Sequence, residues 1–201
     1  MALSQRAVKG LVAYSGVSHL GFVVLGIFTM NVQGLSGGIL QMVNHRLSTG
    51  ALFLLVGMLY ERRHTRLIED FGGLWKQMPL FGLFFLIVTF SSVGLPGLNG
   101  FVGEFTILVG TFKAHPVYAV FAALGIILGA WYMLSMLRRV MQGPLDKPAN
   151  RELEDLSARE IAVLVPIATL IFLIGVFPNL FFAKMGTSVT ALLAQVASLR
   201  P

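Results

Sequence analysis

Cysteine is absent from this 201-residue sequence, which excludes disulfides, iron–sulfur clusters and zinc–thiolate sites supplied by the chain itself. Charge is scarce as well. Only 12% of residues are Asp, Glu, Lys or Arg, against 56% hydrophobic residues and a mean hydropathy of +0.80. That balance is wrong for a soluble core and places the chain among integral membrane proteins. Also missing are a GxGxxG after a strand, a Walker lysine loop, an HExxH and a GxSxG, so the chain carries no recognisable redox centre or hydrolytic site. The start Met1-Ala2-Leu3-Ser4-Gln5-Arg6 lacks a signal-peptide cleavage pattern, and insertion is expected to rely on the spans themselves. The net charge of +6 does not imply nucleic acid as a partner, because the basic residues sit in short clusters between apolar runs, the topological pattern of membrane proteins.

What is present is a series of long apolar segments. They predict an all-α polytopic transmembrane bundle, residues 1–201 forming one transmembrane domain of about five spans and a short, weakly amphipathic C-terminal tail. The spans are expected near 8–30, 35–60, 79–112, 116–142 and 159–182. The third has 34 residues, or ~51 Å as one straight helix, too long for a hydrocarbon core of ~30 Å and too short for two full spans and a turn. A single span broken near 94–100, where Pro96, Gly97 and Gly100 cluster, resolves the conflict. Unpaired backbone groups at such a break need protein or a water-filled cavity to receive them.

Orientation follows from the loops. Arg6, Lys9, Arg62, Arg63, Arg66, Lys76, Arg138, Arg139, Lys147, Arg151 and Arg159 fall on one side; Lys113, Lys184 and Arg200 fall on the other. The positive-inside rule then puts the N-terminus in the cytoplasm and the C-terminus outside. The linkers around 61–78 and 143–160 read as surface connectors, and His64 belongs to the first of them. Trp131 and Tyr132 read as packing residues, and Pro166 and Pro178 as a kink and a stop in the last span.

Glu104 is the only carboxylate in an apolar segment, and a carboxylate just past a helix break reads as part of an ion path. It lies nine residues before Lys113, ~14 Å of helix rise from the outer boundary. His19 follows Lys9 by ten residues, ~15 Å of rise, and shares a helix face with Tyr14, Ser15 and Ser18. In the second span Gln41, Asn44, His45, Ser48 and Thr49 form a polar stripe at helical spacing that lipid cannot face. All three titratable groups therefore fall near one depth, as a proton relay parallel to the membrane needs, with Ser18, Asn44, Ser48 and Thr49 as supporting groups. The bland alternatives are histidines satisfied by neighbouring hydroxyls or carbonyls, a stripe that glues helices together, and a structural ion pair of Glu104 with Arg46. Arg46 itself lies off the stripe and either meets a carboxylate or snorkels outward. Asn99, Ser91, Ser92 and Thr89 are expected to satisfy backbone groups freed at the break.

Four stretches strongly resemble one family: Ala13-Tyr14-Ser15-Gly16-Val17-Ser18-His19-Leu20-Gly21-Phe22; the run from Gln41 through Asn44-His45-Arg46 to Leu54; Leu59-Tyr60-Glu61-Arg62-Arg63-His64-Thr65-Arg66; and Gly94-Leu95-Pro96-Gly97 with Asn99-Gly100-Phe101-Val102-Gly103-Glu104-Phe105. They resemble the antiporter-like membrane subunits of respiratory complex I, closest to the M-type chain of proton-translocating NADH:quinone oxidoreductase. The chain looks like the C-terminal part of such a subunit. The resemblance implies a channel module of a redox-driven proton pump, a translocase subunit with no redox active site of its own. NADH, FMN, iron–sulfur clusters and quinone are then bound by partner subunits, and this chain holds no cofactor or metal. It further implies a multi-pass protein of the bacterial inner membrane, with other membrane subunits and lipid as partners. Glu104 corresponds to the family's terminal relay carboxylate, and His19 and His45 to intramembrane relay positions. Arg46 stands where relatives often have a small residue. The competing reading is a subunit of a multisubunit cation/proton antiporter, which shares the fold.

Overall fold

A computed structural model describes residues 2–198; Met1 and residues 199–201, Arg200 among them, lie outside the described residues. Long apolar stretches in a membrane must satisfy their backbone polar groups internally, and helices do so. The chain accordingly runs α1 (Val8–Phe28), α2 (Val32–Arg63), a short α3 (Leu74–Gln77), α4 (Pro79–Val93), α5 (Asn99–Ala114), α6 (Pro116–Met141), a short α7 (Pro148–Arg151), α8 (Ala158–Val176) and α9 (Asn179–Ser198). The expected bundle is thus present, with the third span split into α4 and α5.

Helix α2 is the axis of the bundle, packed by α1, α4, α5, α8 and α9. Its start is fixed by Asn31, whose side-chain oxygen accepts from Gly34 N at 2.8 Å while its amide nitrogen donates to Gly110 O at 2.8 Å, tying the turn after α1 to the end of α5. At the other end His64 closes the helix in the left-handed conformation, φ 54°, with its ring edge-on to Tyr60. The N-terminal strand of chain and the loop after α2 lie side by side: Val8 N donates to Arg66 O and Ile68 N to Arg6 O, both at 2.8 Å. The main core fills the space where α1, α2, α4 and α6 converge, with Leu52, Leu55, Phe81, Phe85, Met133 and Met136 among its most buried side chains.

Neither half of the broken span crosses a bilayer alone: α4 has 15 residues and α5 has 16, roughly 22 to 24 Å each at 1.5 Å per residue. Pro79 opens α4 at a position where a missing N–H costs nothing. The next two amides, Leu80 N and Phe81 N, donate to the carboxylate of Asp155 at 2.8 and 2.9 Å. The connector between α6 and α8 is therefore bound down at the surface. Arg62 reinforces it, donating to both carboxylate oxygens of Glu160 at 2.6 Å and to the carbonyls of Glu154 and Asp155. Ser157 and Glu160 complete a capping box that starts α8.

The C-terminal region differs from the expectation of one span over 159–182 and a short tail. Helix α8 ends at Val176, and Asn179–Ser198 forms a separate helix of 20 residues, long and apolar enough to cross a membrane by length and composition. Pro178 supplies the reason, because it has no N–H to continue the α8 ladder.

Candidate functional site

The break between α4 and α5 is built by backbone conformation. Gly94 takes φ +80°, the left-handed region that side-chain-bearing residues enter with strain. Its N–H turns back to Ser91 O, and Leu95 N reaches Phe90 O at 3.0 Å, a Schellman-type closure of α4. At Gly100 a Cβ would stand 1.9 Å from Ser91 O, so the start of α5 lies against the end of α4 with no room for any side chain. The exposed Pro96 and Gly97 form the outer part of the turn.

Glu104 sits just over one turn into α5 and is 5% exposed. Its Oε1 lies 3.1 Å from His19 Nδ1 of α1, and Gln41 Nε2 of α2 donates to the same oxygen at 3.5 Å. Its Oε2 points back at the break, 2.6 Å from where a Cβ of Gly94 would be. The His19 ring stands 5.3 Å from that of His45, centroid to centroid and tilted by 37°. Beyond, His45 Nδ1 and Thr49 Oγ1 are 2.9 Å apart. Residues from three helices thus converge: Glu104 contacts His19, and His45 stands beside His19 with no direct hydrogen bond between the two rings among the described residues.

A second polar network lies beneath these groups. Ser48 and Ser91 hydroxyls meet at 2.5 Å, and Ser91 Oγ donates to Asn99 Oδ1 at 2.5 Å. Asn44 Nδ2 donates to the carbonyl of Asn99 at 2.7 Å. Asn44 of α2 thus binds the first turn of α5, just past the break. Asn99 and Ser91, expected to satisfy backbone groups freed at the break, use their side chains on each other and on Ser48, and Asn99 Nδ2 also donates to the carbonyl of Asn44 at 3.4 Å. Thr89 Oγ1, Ser92 Oγ and Asn44 Oδ1 are buried with no protein partner among the described residues.

Two small cavities of about 10 Å³ flank His19, each the space one water needs. One is bounded by Ser18, His19, Ser92, Glu104 and Tyr132, the other by His19, Asn44, His45, Ser48, Thr49 and Gly100. Ser92 borders both.

The geometry brings Glu104, His19 and His45 together with Asn44, Ser48 and Thr49; Ser18 and Gly100 each border one of the two cavities, while Pro96 and Gly97 lie on the exposed turn away from them. The ion pair of Glu104 with Arg46 does not form; the carboxylate faces His19, and Arg46 is exposed on the far side of α2. Two residues were missed as site residues. Gln41 was visible as the first member of the polar stripe. Tyr132 was not, since an aromatic residue in an apolar helix carries no sign of facing a carboxylate cavity.

Fold and site define a class: a polytopic helical membrane protein with a discontinuous span whose buried acid meets a histidine of a neighbouring helix, with a second histidine beside the first. Comparison with known proteins makes this particular, since the chain belongs to the NADH:quinone oxidoreductase/Mrp antiporter transmembrane family, whose model matches residues 1–129. It is 45% identical over 192 residues to NADH-quinone oxidoreductase subunit M of Rhodobacter capsulatus, covering 96% of this chain and 38% of that one. It is 42% identical over 195 residues to NADH-ubiquinone oxidoreductase chain 4 of Chondrus crispus, covering 97% and 40%. Among solved structures it resembles a chain of respiratory complex I from Thermus thermophilus with bound NADH, at TM-score 0.86 and 34% identity over 96% of this chain and 41% of that chain. A chain of the Mrp complex from Dietzia matches at TM-score 0.85 and 22% identity over 96% and 44%, a likeness of fold alone. The chain therefore spans about two fifths of the length of these relatives.

Proposed function

We propose that this chain is a proton-conducting part of a membrane subunit of proton-translocating NADH:quinone oxidoreductase, in the bacterial inner membrane. Glu104 and His19 share a proton across their 3.1 Å contact, and that contact is the observation that carries the reading. A carboxylate and an imidazole in hydrogen-bond contact can pass a proton from one to the other. From His19 the proton passes to His45 across a gap in which the cavity beside Asn44 and Ser48 holds one water, and Thr49 orients the His45 ring. Residues 1–201 form the C-terminal transmembrane part of the subunit, with the N-terminus cytoplasmic and the C-terminus outside. Other membrane subunits and lipid surround it. NADH, FMN, iron–sulfur clusters and quinone belong to partner subunits, whose electron transfer drives the proton steps.

The test is Glu104→Gln in the assembled complex, with NADH-driven acidification followed in membrane vesicles. Gln keeps the shape and a hydrogen bond to His19 but does not exchange a proton. The expected result is a fall in pumping of about tenfold or more with assembly unchanged; pumping at the wild-type rate overturns the relay. Sodium-dependent proton exchange in vesicles without NADH would instead identify a cation/proton antiporter subunit.

A further inference from the structure

Arg46 occupies a place where a cation is expensive. It lies fourteen residues from the start of α2 and seventeen from its end, and its neighbour His45 belongs to the layer of Glu104 and His19. Yet Arg46 is exposed on the surface of the chain and has no hydrogen bond or ion pair among the described residues. Glu104, the carboxylate at this depth, is engaged with His19. A charged side chain at the centre of a bilayer is strongly disfavoured against lipid. Snorkelling does not relieve it, because the headgroups lie about 15 Å away, half the hydrocarbon thickness and far beyond the reach of the side chain.

The surface around Arg46 has the form of a helix seat. Along the same face of α2 stand Met42, Gly50, Phe53 and Gly57, which return to the direction of Arg46 within about 40°. Met42 and Phe53 are exposed, and a Cβ on Gly50 or Gly57 would meet nothing within 4 Å. Glycines one and three turns from a charged residue let a partner backbone approach closely, the usual basis of helix association in lipid.

We propose that this face of α2 docks a membrane-spanning helix that presents an Asp or Glu carboxylate at the depth of Arg46. The occupant follows from charge complementarity: only an anion supplied from outside the described residues neutralises a guanidinium here, and only another helix brings a carboxylate to this depth. The inference does not rest on the relay, since it concerns assembly at the outer face of α2 and is read by crosslinking rather than by pumping.

The test uses native membranes containing the assembled complex, with Phe53 replaced by the photo-crosslinker p-benzoylphenylalanine. Illumination is expected to yield a protein adduct whose crosslinked segment contains an Asp or Glu. Adducts to lipid alone, or to a segment without an acid, overturn the proposal. Arg46→Glu in the same background is expected to lower the adduct yield by about tenfold or more, and changing the identified acid to Arg is expected to restore it. Arg46→Leu, which an apolar face tolerates with or without a partner, guards against misfolding: it is expected to lower the yield while the chain stays in the membrane. A yield unchanged in Arg46→Leu and Arg46→Glu, or no recovery on charge reversal, overturns the proposal.

Discussion

His19 and Glu104 stand 85 positions apart in sequence and 3.1 Å apart in space, the imidazole Nδ1 against the carboxylate Oε1. The contact crosses from α1 to α5 beside two small cavities of about 10 Å³. Each partner gives the other's buried polar atom a hydrogen-bond partner. His19→Leu removes a relay position and leaves Glu104 with only the long contact from Gln41. NADH-driven pumping in vesicles is expected to drop by about tenfold or more, while electron transfer measured with an uncoupler falls less.

Gly94 joins the break to this pair. A Cβ there faces both a φ of +80° and the Oε2 of Glu104 at 2.6 Å. Gly94→Ala is expected to cost about 1 to 3 kcal/mol from backbone strain and to displace the carboxylate from His19. A lowered melting temperature of the purified complex together with reduced pumping checks both effects.

The outer turn of the break is held by α8, where a Cβ on Gly175 would stand 2.2 Å from the carbonyl oxygen of Gly97. Backbone cannot yield as a flexible side chain does, so Gly175→Ala is expected to destabilise by about 1 to 3 kcal/mol. Gly186→Ala on α9, where a Cβ meets nothing within 4 Å, is the matched control. Thermal unfolding of the two variants should separate them, with Gly186→Ala at or slightly above wild type.

Asp155 caps the first turn of α4 from a different part of the chain, through Leu80 N and Phe81 N. Asp155→Ala leaves two helix-end donors unpaired at the entrance of the broken span and is expected to cost about 1 to 2 kcal/mol. Hydrogen exchange at the amides of Leu80 and Phe81 is expected to accelerate, with amides in the middle of α2 unchanged.

The partly buried pair of Arg62 and Glu160 bears the same connector. Glu160→Gln removes one charge from a two-pronged contact and is expected to destabilise by about 1 to 3 kcal/mol. The double variant Arg62→Glu with Glu160→Arg is expected to recover part of that loss, measured as a melting temperature above that of either single reversal.

The helical class and the broken third span were legible because they follow from one-dimensional quantities. Apolar run lengths compared with bilayer thickness give the spans, and a run of intermediate length containing Gly94, Pro96, Gly97 and Gly100 has no other economical solution. The stripe of Gln41, Asn44, His45, Ser48 and Thr49 was readable from helical periodicity. Helix rise alone assigned His19, His45 and Glu104 a common depth. The boundary at Pro178 was visible as a stop, but the apolar pattern beyond it was too weakly periodic to announce α9.

What the sequence determined by itself is therefore what chain geometry and solvent preference dictate locally: where most helices run, where one must break, and how far along its helix each ionisable residue sits. Only the tertiary structure decided azimuth, which face of each helix meets which neighbour. That choice set Glu104 against His19 rather than Arg46, turned Tyr132 toward the carboxylate, and brought Asp155 onto the end of α4. The reason is physical: depth follows from counting residues along one helix, whereas azimuthal pairing emerges from side chains of several helices packing at once, and no single segment encodes it.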